Sequence, residues 1–586
     1  MRTFDEINTT VQAGLGKIKC DLKLTNVKLV NVYSSEIYPS DIYIKGKRIV
    51  SISPIAGLEA NETIDCKGQY AIPGLIDSHM HFETTLLAPE TLVDIILPNG
   101  TTTLCMDAME IANVAGEAGL KEMLQSIDQL PYRAYLEVSS RVPTAPKFET
   151  TGGVLGIVEV EKLLDCNESL SLGEIDPSKI FYFGGEYIEK IVAALQRRKK
   201  VNGHAIGRYG QELNVYASAG VSDDHECVDV DELIDRVRLG MTVMVREGSS
   251  ERNVDSLING VIENSLTTEF LLFCTDDKHV NDIMSEGHIN YNVNRAIELG
   301  LAPMKAIQIA SINAARHFRV EDEIGSITPG RLADILLTKD INKINPSRVF
   351  FEGKLVAENG KIINSAIPRE YPEWIKNTVK FKKAITPKSF IVISKKNEPK
   401  TKVNAIELID DQIINNWICA ELPVENGEIG CDLNKDLLKL SVVERYGKTC
   451  GIGNGFVKGF KLKKGALASS VSHDHHNIIC VGTNDEDMSV AVNALKEIQG
   501  GFVVVENKKV IGKIQLSLGG LMSQKPTIEV LKEAENINKI AKILGTEMAS
   551  PFMTLSFISL PTVPKLGLTD KGLVDVQSHR LINLEI

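Results

Sequence analysis

The stretch Pro73–His81, PGLIDSHMH, places two histidines two positions apart on what reads as a strand. Side chains two apart on a strand face the same way. His79 and His81 therefore point together, and two neutral imidazoles suit a borderline divalent cation. Packed into a core at a strand end, the same pair would need hydrogen-bond partners where few are on offer. More groups of this kind end later apolar runs: Glu186 after FYFGG, His204 after VNG, His225 after VYASAGVSDD and Asp276 after LLFCT. Singly each has a plainer reading: a solvated carboxylate for Glu186, a surface histidine for His225, a helix cap for Asp276. Jointly they describe a metal centre, provided the fold brings these strand ends together.

The elements that must do so are readable as a pattern. Between residue 70 and about 320, apolar runs alternate with amphipathic stretches such as GEAGLKEMLQSIDQL and YIEKIVAALQRRKK. The runs are AIPGLIDSH, TTTLCMD, RAYLEVSS, IFYFGGE, VNGHA, VYASAGVS, TVMVREG and FLLFCTD. Eight strand–helix repeats in about 250 residues are what an eight-stranded barrel needs, and barrel sites form at the C-terminal ends of the strands. Residues 22–53 and 333–363 alternate apolar and polar residues around turns such as Lys45-Gly46-Lys47, which predicts one small sandwich built from both flanks. Residues 365–403 carry four prolines and many lysines. They read as a solvated connector rather than a site for an anionic partner. The expected fold is α/β: a metal-dependent (β/α)8 TIM barrel at 73–320, with a composite β-sandwich from 1–72 and 321–375. A connector at 376–403 and a C-terminal α+β domain at 404–586 complete it.

The 586 residues are 43% hydrophobic and 24% charged, the balance of a globular chain, which rules out wholesale disorder. A net charge of −12 argues against nucleic acid as partner. No apolar run approaches the ~18 residues of a membrane span. The start, MRTFDEINTT, lacks the basic and apolar regions of a signal peptide. Ten cysteines without a CxxC pair fit a reducing cytoplasm. The expected partner is a small molecule, and a homodimer or higher homo-oligomer is the base-rate expectation.

The order of the candidate groups resembles the amidohydrolase superfamily: His-x-His on strand one, a bridging group on strand four, histidines on strands five and six, aspartate on strand eight. Gly325–Asp334, GSITPGRLAD, is similar to that superfamily's return into its sandwich. Within it the chain resembles the bacterial adenine deaminases, through VREGS (245–249), CTDDKH (274–279), SHDHHN (472–477), FISLP (557–561) and LTDKG (568–572). Many of the superfamily's hydrolases carry a carbamylated lysine on strand four, where this chain is read as having Glu186.

The resemblance implies hydrolysis of adenine to hypoxanthine and ammonia in purine salvage, at two divalent ions, Mn2+ or Fe2+, with Zn2+ as the other option. His79 and His81 would hold one ion, His204 and His225 the other, with Glu186 between them. Asp276 would bind metal and carry a proton from the activated water to the departing amine. Glu247 is the candidate for protonating the ring, against an ion pair with Arg246 or another neighbour. Asp107, Ser139 and Ser140 share the barrel face and are placed to contact the purine. His279 reaches the pocket rim or caps the next helix. In Ser472–His476 a lid or substrate contact through His473 and His475 is preferred to a third metal. His288, His317 and His579 read as structural. The competing readings are a cyclic amide hydrolase of the dihydropyrimidinase or dihydroorotase kind, a non-catalytic scaffold of the same fold, and adenosine rather than adenine as substrate.

Overall fold

The computed structural model describes residues 2–53, 57–396, 398–409, 415–562 and 565–586. The chain opens with strands β1 (Cys20–Asn31), β2 (Glu36–Lys45), β3 (Arg48–Ser51), β4 (Ala60–Asp65) and β5 (Tyr70–Pro73). It continues through β6 (Leu75–Met80), β7 (Thr101–Met106), β8 (Arg133–Val138), β9 (Ser169–Ile175), β10 (Lys200–Gly203), β11 (Asp223–Asp224), β12 (Thr242–Arg246) and β13 (Leu271–Cys274). It returns as β14 (Ile335–Thr338), β15 (Pro346–Phe351), β16 (Lys354–Glu358) and β17 (Lys361–Ile362). Because β14 pairs antiparallel with β5, both flanks join one nine-stranded sheet, β17-β16-β15-β14-β5-β1-β2-β3 with β4 beside β1. The sandwich expected from the sequence takes the form of this single sheet, curled until its far turns touch. A Cβ on Gly353 would lie 2.9 Å from the Gly46 carbonyl oxygen. Leu24 and Ile42 from one flank share a core with Ile335 and Phe350 from the other.

Strands β6 to β10 pair in parallel in the order β10-β9-β8-β7-β6, and β11 to β13 form a second parallel sheet. The two sheets meet where Met80 bridges Asp276: Asp276 N–H donates to His79 O at 3.0 Å and His81 N–H to Asp276 O at 3.2 Å. At the other edge Ser222 N–H donates to Val201 O at 2.8 Å. Strands β6 and β7 are buried along their whole length, as parallel strands under helices are. Gly74 makes the step from β5 into β6 feasible, since a Cβ there would meet Thr102 Oγ1 at 2.1 Å.

Two of the eight expected strands lie elsewhere. IFYFGGE is a helical turn at Lys179–Phe183 followed by the helix Gly185–Gln196, and the fourth strand is the earlier SLSLGEI, β9. VYASAGVS ends the helix Gly210–Ser218, and the strand is the two-residue β11 behind it. Aromatic β-propensity misled the first assignment. Phe183 and Tyr182 instead set their rings against His579 at 5.7 and 5.2 Å.

The stretch expected as a solvated connector is packed down: Val379, Ile385 and Phe390 join the core under the helix Asp485–Ile498. Beyond it β18 (Lys400–Leu408), β19 (Asn415–Glu425), β20 (Glu428–Ile429), β21 (Leu437–Val443), β22 (Ile452–Lys458), β23 (Ala466–Ser469), β24 (Ile478–Gly482), β25 (Gly501–Glu506) and β26 (Lys509–Gln515) build a second nine-stranded sheet. The strands β27 (Leu566–Thr569), β28 (Gly572–Asp575) and β29 (Arg580–Ile582) form a small third one. This C-terminal domain sits against the loops that follow the parallel strands. Asp570 accepts from Thr150 N–H at 2.9 Å and from its hydroxyl at 2.6 Å, and Asn477 Nδ2 donates to Thr150 O at 2.8 Å. Among the described residues no helix is long and apolar enough to cross a membrane.

Candidate metal centre

The C-terminal ends of β6, β9, β10, β11 and β13 converge on one carboxylate, Glu174, at the end of β9. Its Oε2 lies 3.1 Å from His204 Nδ1, 3.1 Å from His225 Nε2 and 3.9 Å from His79 Nε2, and its Oε1 lies 3.9 Å from His81 Nε2. Asp276 Oδ1 stands 3.7 Å from His79 Nε2 and 3.4 Å from His81 Nε2. Ligand atoms of His79, His81 and Glu174 fall within 4.8 Å of one another, and so do those of Glu174, His204 and His225. Both sets fit a divalent ion. The donors are imidazole and carboxylate, and the buried His79 Nε2 has no hydrogen-bond partner. The second ring nitrogen of each β6 histidine is fixed, as ligand orientation requires: His79 Nδ1 by Glu137 Oε2 at 2.5 Å, His81 Nδ1 by the Asp107 carbonyl at 2.8 Å. Asn202 Nδ2 in turn donates to Glu137 Oε1.

The charges of the four imidazoles divide: Glu110 beside His81, and Glu174 beside His204 and His225, hold those three pKa values up against burial, whereas His79 goes the other way. Burial lowers the His79 pKa to about 4, with His225 and His81 adding to it, so the ring is a neutral ligand near pH 7. Burial alone would raise the Glu174 carboxyl, yet Arg141 and then His204 hold it well below the ordinary range. Arg246 does the same for Asp276 against burial, pairing with its Oδ2 and leaving Oδ1 towards the histidines. Asp276 has a φ of 56°, in the left-handed region that aspartate enters more readily than most side chains.

Of the residues singled out in the sequence, His79, His81, His204, His225 and Asp276 are brought together. Glu186 is not: it sits on the surface of its helix with a side chain 52% exposed, 3.3 Å from Lys190, and Glu174 occupies the place expected of it. Glu247 also turns away. Its carboxylate caps the next helix by accepting from Val254 N–H at 3.1 Å and approaches Arg252 at 3.5 Å, the ion-pair alternative with a different partner. Asp107 and Ser139 hydrogen-bond each other beneath the centre at 2.5 Å, and Ser140 donates to the Glu174 carbonyl at 2.6 Å. All three support the ligands and are absent from the cavity wall. His475 is buried with Nδ1 accepting from Asn477 N–H, likewise off the wall. His279 lines an outer cavity, whereas His473 lines both the outer and the inner one. His288 lies 3.3 Å from Asp77 and His317 2.8 Å from Asp223, the structural places expected of them.

The inner cavity above the ligands is also walled by residues to which the sequence reading gave no role at the site: Arg141 and Glu226 after their strands, Arg246 at the end of β12, Glu110 in the helix Met109–Ile127, and Asp474 and Phe557 from the C-terminal domain. Position signalled two of them. Arg141 follows the Ser139-Ser140 pair after β8, and Glu226 follows His225. Nothing local marks Glu110, which opens the long helix Met109–Ile127.

The amidohydrolase family model matches residues 70–356, and the adenine deaminase C-terminal domain model matches residues 412–580. An adenine deaminase of Desulforamulus reducens is 53% identical over 98% of this chain and 97% of its own length. An adenine deaminase of Staphylothermus marinus is 38% identical over 99% of this chain and 98% of its own. Among solved structures, an adenosine deaminase from Xanthomonas campestris with bound zinc aligns with 59% of this chain and 95% of its own at 15% identity and a TM-score of 0.45, a distance at which the likeness assigns nothing.

Proposed function

This chain belongs to the adenine deaminase family, and from that premise we propose that the Glu174 cluster is where it replaces the 6-amino group of adenine by oxygen. The enzyme is a hydrolase that converts adenine and water to hypoxanthine and ammonia. The observation that carries the site assignment is one buried carboxylate, Glu174, facing both histidine pairs. The two parallel sheets read as one closed (β/α)8 barrel, supported by the Met80–Asp276 bridge at one seam and the Ser222–Val201 bond at the other.

The amidohydrolase family implies dependence on a divalent metal. The donors suit two ions, His79 and His81 to one, His204 and His225 to the other, Glu174 to both and Asp276 beside them; Mn2+ or Fe2+ is our choice. When bound, such ions supply a nucleophile at neutral pH by making water more acidic. Asp276 is placed to move the proton: Arg246 pins its Oδ2, so Oδ1 takes a proton from the attacking water and gives it to the leaving amine. Arg141 and Arg246 hold the two carboxylates charged and in place. Glu174, Asp276, Arg141 and Arg246 are all buried, and the lower dielectric there strengthens each of these interactions. A cytoplasmic setting accords with ten cysteines that form no CxxC pair.

Ammonia release by purified protein reconstituted with Mn2+ tests the reading on adenine and adenosine, with ring opening of dihydrouracil, which frees no ammonia, followed in parallel by its loss of ultraviolet absorbance. Release from adenine alone is expected. Turnover of dihydrouracil instead would make the chain a cyclic amidase.

A further inference from the structure

One part of the wall around the inner cavity comes from the C-terminal domain, and His473 is its best-held side chain. His473 Nδ1 lies 3.2 Å from Glu110 Oε1, and its ring stacks on Phe557 with centroids 4.6 Å apart and planes 9° from parallel. A carboxylate only accepts, so Nδ1 carries the hydrogen, and Nε2 is the ring nitrogen left without a partner among the described residues. The neighbouring His476 does not turn Glu110 and His473 into a metal site. Its Nδ1 accepts from Ser472 N–H at 3.2 Å, so its Nε2 bears a hydrogen and has no lone pair for an ion. The carboxylates of Glu174, Glu226 and Asp276 are all tied to Arg141 or Arg246. Glu247, the sequence candidate for work on the ring, faces elsewhere.

We propose that His473, oriented by Glu110 and Phe557, is the catalytic residue that touches the purine and protonates the ring nitrogen beside the reacting carbon. The proposal rests on the adenine reading of the same site. As the water oxygen bonds to that carbon, His473 Nε2 gives its proton to the ring nitrogen and the water gives one to Asp276. The carbon–nitrogen bond then breaks, the amine leaves as ammonia with the electron pair and the Asp276 proton, and the hydroxyl proton returns through water to His473 as the carbonyl forms. Burial opposes charge on this ring, but Glu110 and then Asp277 outweigh it and push the pKa up to about 8. Asp474 and His476 on its own loop and His279 after β13 also face it.

His473→Asn and His473→Ala are compared with wild type for kcat/KM on adenine, metal content and adenine affinity by calorimetry. The expected result is a loss of about 10²- to 10⁴-fold in kcat/KM with metal content unchanged, and partial recovery of His473→Ala turnover in added imidazole. His473→Asn within threefold of wild type overturns the proposal. If both variants lose metal or fold poorly, imidazole decides: rescue supports a catalytic ring, and no rescue overturns it. Should wild type release no ammonia from adenine, the functional reading fails, and affinity decides the rest. Tenfold weaker adenine binding by His473→Asn then supports the contact, and equal or absent binding overturns it.

Discussion

Glu174 and Glu186 show how little residue type says without its surroundings. Glu174 is sealed in, paired with Arg141 and shared by four imidazoles, whereas Glu186 lies half in solvent beside Lys190. Glu174→Gln is expected to lose bound metal from the pair and at least about 10²-fold in turnover, because an amide is a far weaker ligand than a carboxylate. Glu186→Gln should leave both unchanged, and metal analysis beside the adenine assay separates the two. Asp276→Asn tests a different role. The histidines and Glu174 stay in place, so most of the metal should remain while turnover falls about 10²- to 10⁴-fold for want of a proton carrier. Loss of metal in step with activity would remove the shuttle. Histidine and aspartate at strand ends were legible because few plain readings explain them together. Glu174 was not, since a glutamate before Asp176-Pro177 looks like an ordinary turn carboxylate.

At the scale of elements, the barrel strands were legible where apolar residues coincide with β-branched or aromatic ones, as in β7, β12 and β13. They failed where the barrel itself dictates the composition. In SLSLGEI every residue is buried, the serines that make it look like a loop included. The aromatic run that mimics a strand is held by a hairpin, β28–β29, some four hundred residues further on, contact information no local window contains. Gly74 shows the converse, a position whose reason lies wholly in close approach. Thr102 and Asp334 crowd it, so Gly74→Ala must push β7 away from the β5–β6 step. An overpacking cost of about 1–3 kcal/mol is expected. The shift should reach His79 and His81 directly, so a lowered denaturation midpoint should come with weaker metal retention. An unchanged midpoint would mean that the strands yield without cost.

The whole molecule places a barrel mouth under a second domain, and the seam between them is polar and buried. Arg445 is fully buried and donates to Gly519 O at 3.0 Å, and the Ser472–Asn477 loop holds three buried histidines, of which His473 reaches the catalytic cavity. Two buried histidines make stability depend on acidity. Burial, with Lys278 beside one and Arg445 and then His473 beside the other, pulls the pKa of His288 and of His475 down to about 3. In the unfolded chain each titrates near about 6.5. Between those values the unfolded chain binds a proton that the folded one refuses, so stability rises with pH over that window. The contribution is complete above about pH 6.5 and drains away as pH falls towards 3, at about 1.4 kcal/mol per pH unit for each ring. Glu149, pushed up to about 7 by burial, works in the opposite sense, so the comparison must be made against a variant. His288 is the better probe, because it lies inside the barrel beside Thr101 and Asp77 rather than at the domain seam. Denaturant unfolding of wild type and His288→Asn at pH 7, 6, 5 and 4 should show the variant less stable at pH 7 and the gap closing by about half of 1.4 kcal/mol to pH 6, then by about 1.4 kcal/mol with each further unit of acid. Parallel curves would mean that His288 already carries a proton in the folded protein.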